Sequence, residues 1–197
     1  MSPDTRNRLK LAFIGLMFFA PLIGAAFVYF VKPEWIPSGR LNYGTLVEPV
    51  KPLAGLTLFD GAGQQQAVAM KDGRWSLVFL GGAQCDAACD QRLLLSRQVR
   101  LALNQNRPRV QRVYLAPDAA ALESARALLH EAHPDLVFYR DAGAPGARVT
   151  DFFHPTDPLA LYLVDPLGNW LMVYTGEVEP KGLLKDLKKL LRFSQVG

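Results

Sequence analysis

The sequence of 197 residues is long enough for one domain of ordinary size and a short additional segment. Half of its residues are hydrophobic, and 22 basic against 18 acidic side chains give a net charge of +4. A charge this small, with no cluster of basic and aromatic residues, argues against a nucleic-acid-binding protein. The chain has two cysteines, so their spacing and position carry most of the chemical information.

An apolar run from Leu11 to Val31 is the first feature along the chain, with 21 residues and no charged side chain. At about 1.5 Å per residue, a helix of this length crosses the hydrocarbon core of a bilayer. A cleaved signal peptide is the alternative, but its apolar region is shorter and ends at a small-residue cleavage site. Here the small residues at 24–26 precede more apolar sequence. The run therefore predicts a retained transmembrane anchor.

The charges beside this run predict its orientation. Arg6, Arg8 and Lys10 precede it, and the segment that follows has no comparable excess of basic residues. By the positive-inside rule, residues 1–10 form a cytoplasmic tail, residues 11–31 the anchor, and the rest of the chain lies outside the cytoplasm. We therefore expect a single-pass membrane protein with a domain in the periplasm or an equivalent compartment.

After the anchor, residues 32–55 contain four prolines and three glycines and predict a linker. Residues 56–197 then alternate between strand-like and helix-like segments, as one domain. The predicted strands are 56–59, 75–80, 110–115, 136–139, 159–164 and 170–174, and the predicted helices are 86–106, 119–132 and 180–193, with one helical turn around 149–153. This order predicts an α/β fold, a thioredoxin-like mixed sheet covered by helices.

Cys85 and Cys89 lie where a predicted strand gives way to a predicted helix. A helix N-terminus stabilises a thiolate through its free N–H groups and partial positive charge. A separation of four residues places both side chains on one helical face, with Cα atoms about 6 Å apart, so the sulfurs can form a disulfide or hold a soft ion such as Cu(I). A bridge that closes so short a loop adds little stability. The spacing favours functional chemistry over a purely structural disulfide.

With this strand, C-x-x-x-C motif and helix in place, the chain resembles the Sco/SenC family. These are membrane-anchored, thioredoxin-fold proteins that help to assemble the copper centre of cytochrome c oxidase. The resemblance covers about residues 50–193 and rests on WSLVFLGGAQCDAAC, on the hairpin LALYLVDPLGNWLMVY and on the anchor. It implies copper or thiol roles for Cys85 and Cys89. It also implies a partner that is an oxidase subunit or another assembly factor.

The sequence departs from this family at the histidine that completes its copper site. Asp157 occupies that position, followed by Pro158. A carboxylate is a hard ligand that suits Cu(I) poorly, which argues against a three-ligand copper site, although two thiolates still bind Cu(I). His154 is a candidate substitute ligand. Thioredoxin-like folds often have a cis-proline opposite the cysteines, and with Pro158 in that place Asp157 would face the pair and make the thiols harder to ionise.

Two functions remain open at this stage. In the first, the chain is an accessory factor in oxidase assembly that uses Cys85 and Cys89 for thiol–disulfide exchange, as an oxidoreductase, or for Cu(I) delivery. Cys85 is then the more exposed sulfur and the first to react. In the second, the chain is a non-catalytic docking protein whose cysteines form a structural bridge.

The last predicted helix has basic residues opposite its leucines. This row is either a solvated face or a contact with anionic lipid headgroups. Its members are Lys181, Lys185, Lys188, Lys189 and Arg192.

Overall fold

The computed structural model describes residues 3–32, 42–53, 57–66, 70, 72–141, 143 and 148–194. The chain divides into two compact units, Met1–Leu41 and Asn42–Gly197. The first unit contains one helix, α1 (Pro3–Val31), whose residues Asp4–Val31 are long and apolar enough to cross a membrane. This helix fits the predicted single-pass membrane protein. It begins inside the predicted tail of residues 1–10.

The second unit is built on a mixed sheet, which has eight strands in the described part of the chain. The strands are β1 (Thr45–Pro52), β2 (Leu58–Asp60), β3 (Gln65–Gln66), β4 (Trp75–Leu80), β5 (Val110–Ala116), β6 (Leu136–Asp141), β7 (Leu161–Val164) and β8 (Asn169–Tyr174). Their order across the sheet is β1-β8-β7-β4-β5-β6-β2-β3. Strands β4, β5 and β6 run parallel, and the other pairs are antiparallel. The predicted mixed sheet is confirmed.

Four helices accompany this sheet in the described residues, together with a 3₁₀ helix at Asn104–Arg109. They are α2 (Ala87–Leu101), α3 (Ala119–Leu129), α4 (Val149–Phe152) and α5 (Pro180–Phe193). Helix α2 is shorter than the predicted 86–106, because Asn104 takes a left-handed conformation with φ of 51°. Asparagine tolerates this conformation better than most residues, and it ends the regular helix.

Alternate residues of the central strands pack into different apolar clusters on the two faces of the sheet. Leu77 and Phe79 of β4 join a cluster that also receives buried residues of α2, α3 and α5, whereas Val78 joins the other. In that second cluster the rings of Phe153, Tyr162 and Trp170 have centroids 4.6–5.6 Å apart. Burial on both faces explains why β4 and β7 are almost entirely apolar in sequence, whereas β5 also carries the buried polar residues Gln111 and Arg112.

The prediction of a linker over residues 32–55 is wrong for Thr45–Pro52, which form β1 and pair with β8. The prolines of this segment suggested a linker, but β1 lies at the edge of the sheet, where a residue without an N–H group interrupts no ladder. The folded unit therefore begins before residue 56. The rest of the linker prediction at 33–41, 54 and 55, and the first residue of the predicted strand 56–59, lie outside the described residues.

A buried arginine attaches α2 to the sheet. Arg112 of β5 is 1% exposed. Its Nη2 donates to the carbonyl oxygen of Leu93 at 2.7 Å, and its Nε donates to Oγ of Ser96 at 2.9 Å. Its Nη1 donates to Oδ1 of Asp135 at 2.9 Å. Burial lowers the pKa of Arg112 to about 10, and the charge of Asp135 opposes that effect.

We expect Asp135→Asn to lower the free energy of unfolding by about 3 kcal/mol, because it leaves a buried guanidinium without its counter-charge. Urea denaturation of the detergent-solubilised chain, followed by circular dichroism, measures the change. Asp72→Asn is the matched control, since the ion-pair partner of Asp72 is the more exposed Arg74, such pairs contribute less than about 1 kcal/mol, and an asparagine oxygen can still accept from Gln111. Equal losses in the two variants would contradict the role of Asp135.

Candidate functional site

Cys85 and Cys89 lie at the junction of β4 and α2 and are bonded to each other, with Cα atoms 5.2 Å apart. Cys85 precedes the first helical residue, Ala87, and is half-buried. Cys89 lies in the first turn and is 7% exposed. Cys85 is therefore the more accessible of the two.

Asp86, between the cysteines, sets the start of α2. Its backbone is extended, and its Oδ1 accepts a hydrogen bond from the backbone N–H of Cys89 at 2.9 Å, as an N-cap does. Its negative charge disfavours a thiolate nearby, whereas the helix N-terminus favours one. The two effects oppose each other at this site. The sequence signal for the cap was an aspartate three residues before a helical position, and it was missed.

Tyr114 of β5 fixes the path of the loop that leads to Cys85. Its hydroxyl donates to the carbonyl oxygen of Gly82 at 2.7 Å, and the N–H of Gly81 donates to the carbonyl oxygen of Leu115 at 3.0 Å. A Cβ atom on Gly81 would overlap with the ring of Tyr114, whereas one on Gly82 would meet open space. Burial raises the pKa of Tyr114 to about 12, so the hydroxyl remains a donor at neutral pH.

An open cleft of about 730 Å³ lies beside the disulfide. The cysteine segment lines one part of it, with Gln84, Asp86 and Cys89, and residues 155–160 line another. The side chains of Phe79 and Tyr162 add aromatic surface. The cleft therefore offers a mainly apolar surface against which another chain can lie next to Cys89.

Asp157 lines the same cleft as Cys89. Both of its carboxylate oxygens are engaged, because Oδ1 accepts from the N–H of Leu159 at 2.8 Å and Oδ2 accepts from the N–H of Gly176 at 2.7 Å. The peptide bond before Pro158 is trans, so the hypothesis of a cis-proline there is wrong. Asp157 thus lies at the cysteine end of the domain, and both of its carboxylate oxygens accept hydrogen bonds from backbone N–H groups.

Arg92 of α2 is hydrogen-bonded to Gly176, the residue whose N–H donates to Asp157. Its Nη2 donates to the carbonyl oxygen of Gly176 at 2.6 Å, and the residue is 8% exposed. Burial lowers the pKa of Arg92, and the charge of Asp157 opposes that effect. The sequence could not indicate this contact, because Arg92 and Gly176 are 84 residues apart.

His154 is exposed and has a left-handed backbone with φ of 43°. The cleft is lined by its neighbour Pro155. Within the described ranges, no three His, Cys, Asp or Glu side chains form a group that could hold a metal ion. The sulfurs are bonded to each other and both oxygens of Asp157 are occupied. These donors do not fit a three-ligand copper site, and the reduced pair alone offers two soft ligands.

Comparison with known proteins supports the fold assignment. The family model described as "Transmembrane-like, thioredoxin-like, C-terminal domain" matches residues 75–194. No curated protein matches the chain.

The fold is also found in solved structures, including the following three. Copper-bound ScoI of Arabidopsis thaliana is 16% identical, with a TM-score of 0.56, over 77% of this chain and 99% of that one. Copper-bound yeast Sco1 is 15% identical, with a TM-score of 0.57, over 77% and 93%. MTB dsbF, in mixed oxidised and reduced forms, is 18% identical, with a TM-score of 0.52, over 70% and 96%. The predicted thioredoxin-like fold is confirmed by the family model and by these neighbours.

Gly81→Ala should destabilise the chain by about 2 kcal/mol, because the new Cβ must displace Tyr114 and with it the cysteine loop. Thermal unfolding and the rate of disulfide reduction by dithiothreitol measure the two effects. Gly82→Ala makes the same substitution one residue later, where nothing lies within 4 Å. We expect that control to match the parent chain, and similar changes in both variants would contradict the role of Tyr114.

Asp86→Asn keeps an N-capping side chain but removes its charge. Two unit charges about 6 Å apart in water interact by about 0.7 kcal/mol, so we expect the reduced pair of this variant to react with iodoacetamide about threefold faster at pH 7. Asp118→Asn is the control, since Asp118 caps α3 in the same way through the N–H of Ala121 at 2.8 Å. An unchanged rate in Asp86→Asn, or an equal increase in both variants, would contradict this electrostatic role.

Proposed function

The chain belongs to the transmembrane-like, thioredoxin-like C-terminal domain family, and from that premise we propose that it performs thiol–disulfide exchange at Cys85 and Cys89. The context we propose is assembly of the copper centre of cytochrome c oxidase, as the Sco/SenC resemblance implies. The observation that carries the proposal is a disulfide at a helix N-terminus, with one half-exposed cysteine and the other lining an open cleft. That position is typical of reactive cysteine pairs.

The proposed location is the outer side of a membrane. Helix α1 is the anchor, and Arg6, Arg8 and Lys10 support a cytoplasmic N-terminus. The domain then lies in the periplasm or an equivalent compartment, where disulfides form and persist. A target protein would meet the cysteine pair there.

The exchange begins when a thiolate of the target attacks Sγ of Cys85. A target–Cys85 bond forms, the Cys85–Cys89 bond breaks, and the electron pair leaves on Sγ of Cys89. A second target thiol loses its proton to solvent and attacks the target sulfur of the mixed disulfide, which releases Cys85 as a thiolate. Two electrons thus pass from the target dithiol to the pair. The reverse sequence reduces a target disulfide and oxidises the pair.

The position of each cysteine suits this order. Cys85 is half-buried and precedes the helix, so a target sulfur can approach it. Cys89 lies in the first turn of α2, where the N-terminal partial charge stabilises a departing thiolate. A docking protein with a structural bridge is less well supported, because a disulfide between residues four apart constrains little of the unfolded chain.

Delivery of Cu(I) is the second candidate function. The copper-bound ScoI and Sco1 structures favour it. Here copper would be cargo held by two thiolates of the reduced pair, without a third ligand from Asp157 or His154. Soft sulfur ligands select Cu(I), so the pair retains this possibility in its reduced state.

The order of attack is tested by trapping. Cys89→Ser, reduced and mixed with a disulfide-containing peptide, should accumulate a mixed disulfide, since Cys85 attacks and no second cysteine resolves the product. Cys85→Ser should accumulate about tenfold less, because only the buried Cys89 remains. Mass spectrometry of the full chain in detergent measures both. Equal trapping would contradict the order, and no trapping in either variant would contradict exchange itself.

A Cu(I) titration of the reduced parent chain against a competing chelator separates the alternatives. Retention of one Cu(I) that both serine variants lose, without any trapping, would replace exchange by copper delivery. A chain that neither traps nor retains copper, and whose bridge resists dithiothreitol, would be a docking protein with a structural disulfide.

A further inference from the structure

The exposed side of α5 carries a row of positive charges that the cysteine chemistry does not use. The apolar side of the helix lies in the core, with Leu183, Leu187 and Leu191 buried. Its one acidic residue, Asp186, is 3% exposed and also faces inward. All exposed charges within the helix are therefore basic: Lys181, Lys185, Lys188, Lys189 and Arg192.

The same helix fixes the beginning of the folded unit. Oδ2 of Asp186 accepts from the backbone N–H groups of Tyr43 and Gly44 at 2.9 and 3.0 Å. The ring of Tyr43 lies so close to Gly182 that a Cβ atom there would overlap with it. Nζ of Lys185 also donates to the hydroxyl oxygen of Tyr43 at 3.0 Å. The chain therefore enters the domain against α5.

The sequence limits how far this entry point can be from the end of the anchor. Eleven residues, 32–42, separate Val31 from Tyr43. Even when fully extended, they span no more than about 40 Å. A surface tethered within such a distance acts at a high effective concentration, so weak electrostatic contacts are enough to hold it.

We propose that the exposed side of α5 binds the anionic headgroups of the membrane that holds α1. Several lysines on one surface match a negatively charged lipid layer, and their attractions add within the Debye length. Phe193, at the end of the same helix, is 73% exposed and can enter the interfacial region as other aromatic residues do. This surface orients the domain on the membrane and is independent of the proposed thiol exchange.

Lysine footprinting tests this proposal on the full chain in lipid nanodiscs. With phosphatidylcholine that contains 30% phosphatidylglycerol, acetylation of Lys181, Lys188 and Lys189 should slow about threefold or more relative to phosphatidylcholine alone. High salt should remove the difference. Lys51, which lies on β1 with its Nζ over the ring of Trp170, is the control and should react at the same rate in both.

Charge variants supply the second measurement. Lys188→Gln with Lys189→Gln should reduce the protection of Lys181 in anionic nanodiscs. Arg126→Gln removes a positive charge from an exposed residue of α3 and should leave the protection unchanged. Equal acetylation in both lipids, or protection that salt does not alter, would overturn the proposal. Protection that requires an added acidic protein would instead identify α5 as a protein-binding surface.

Discussion

The position of the cysteine pair depends on how α2 is attached to the sheet. Arg112 makes this attachment from β5, with one hydrogen bond to a helix carbonyl and another to Ser96. A buried guanidinium is costly without a counter-charge, and Asp135 supplies it. Asp135 also pairs with Arg100 of the same helix at 3.1 Å. The helix that carries Cys89 is therefore held by charged groups as well as by apolar packing.

Three further contacts fix the end of α2 that bears the cysteines. Asp86 caps the helix, the hydroxyl of Tyr114 holds the preceding loop, and Arg92 binds the carbonyl of Gly176. Each contact has a backbone atom at one end, so apart from Asp86 the loop geometry depends little on which residues stand between Gly82 and Cys89. A rigid support of this kind keeps Cys85 accessible while Cys89 stays in the helix, which is what a two-step exchange requires.

Much of this fold follows from the sequence because most of the buried strands are apolar runs bounded by glycine, proline and aspartate. The cysteine junction was predicted for the same reason, since WSLVFL ends at Leu80, two glycines follow it, and a helical pattern begins after them. Strand β1 was missed because prolines suggest a linker, and only the strand order reveals an edge position. The contacts of Arg92 and Asp157 with Gly176 join segments far apart in sequence, which no local pattern indicates.

The carboxylate of Asp157 explains why a histidine would not simply serve in its place. Two backbone N–H groups, those of Leu159 and Gly176, donate to its two oxygens. A neutral imidazole has one acceptor nitrogen, so a histidine here could satisfy only one of them. The second N–H would lose its partner. If that is the N–H of Gly176, the loss falls on the residue whose carbonyl accepts from Arg92. At this position the chain uses its acidic residue to hold the loop after β8 to the segment that precedes β7, and that use opposes a soft-metal ligand at the same site.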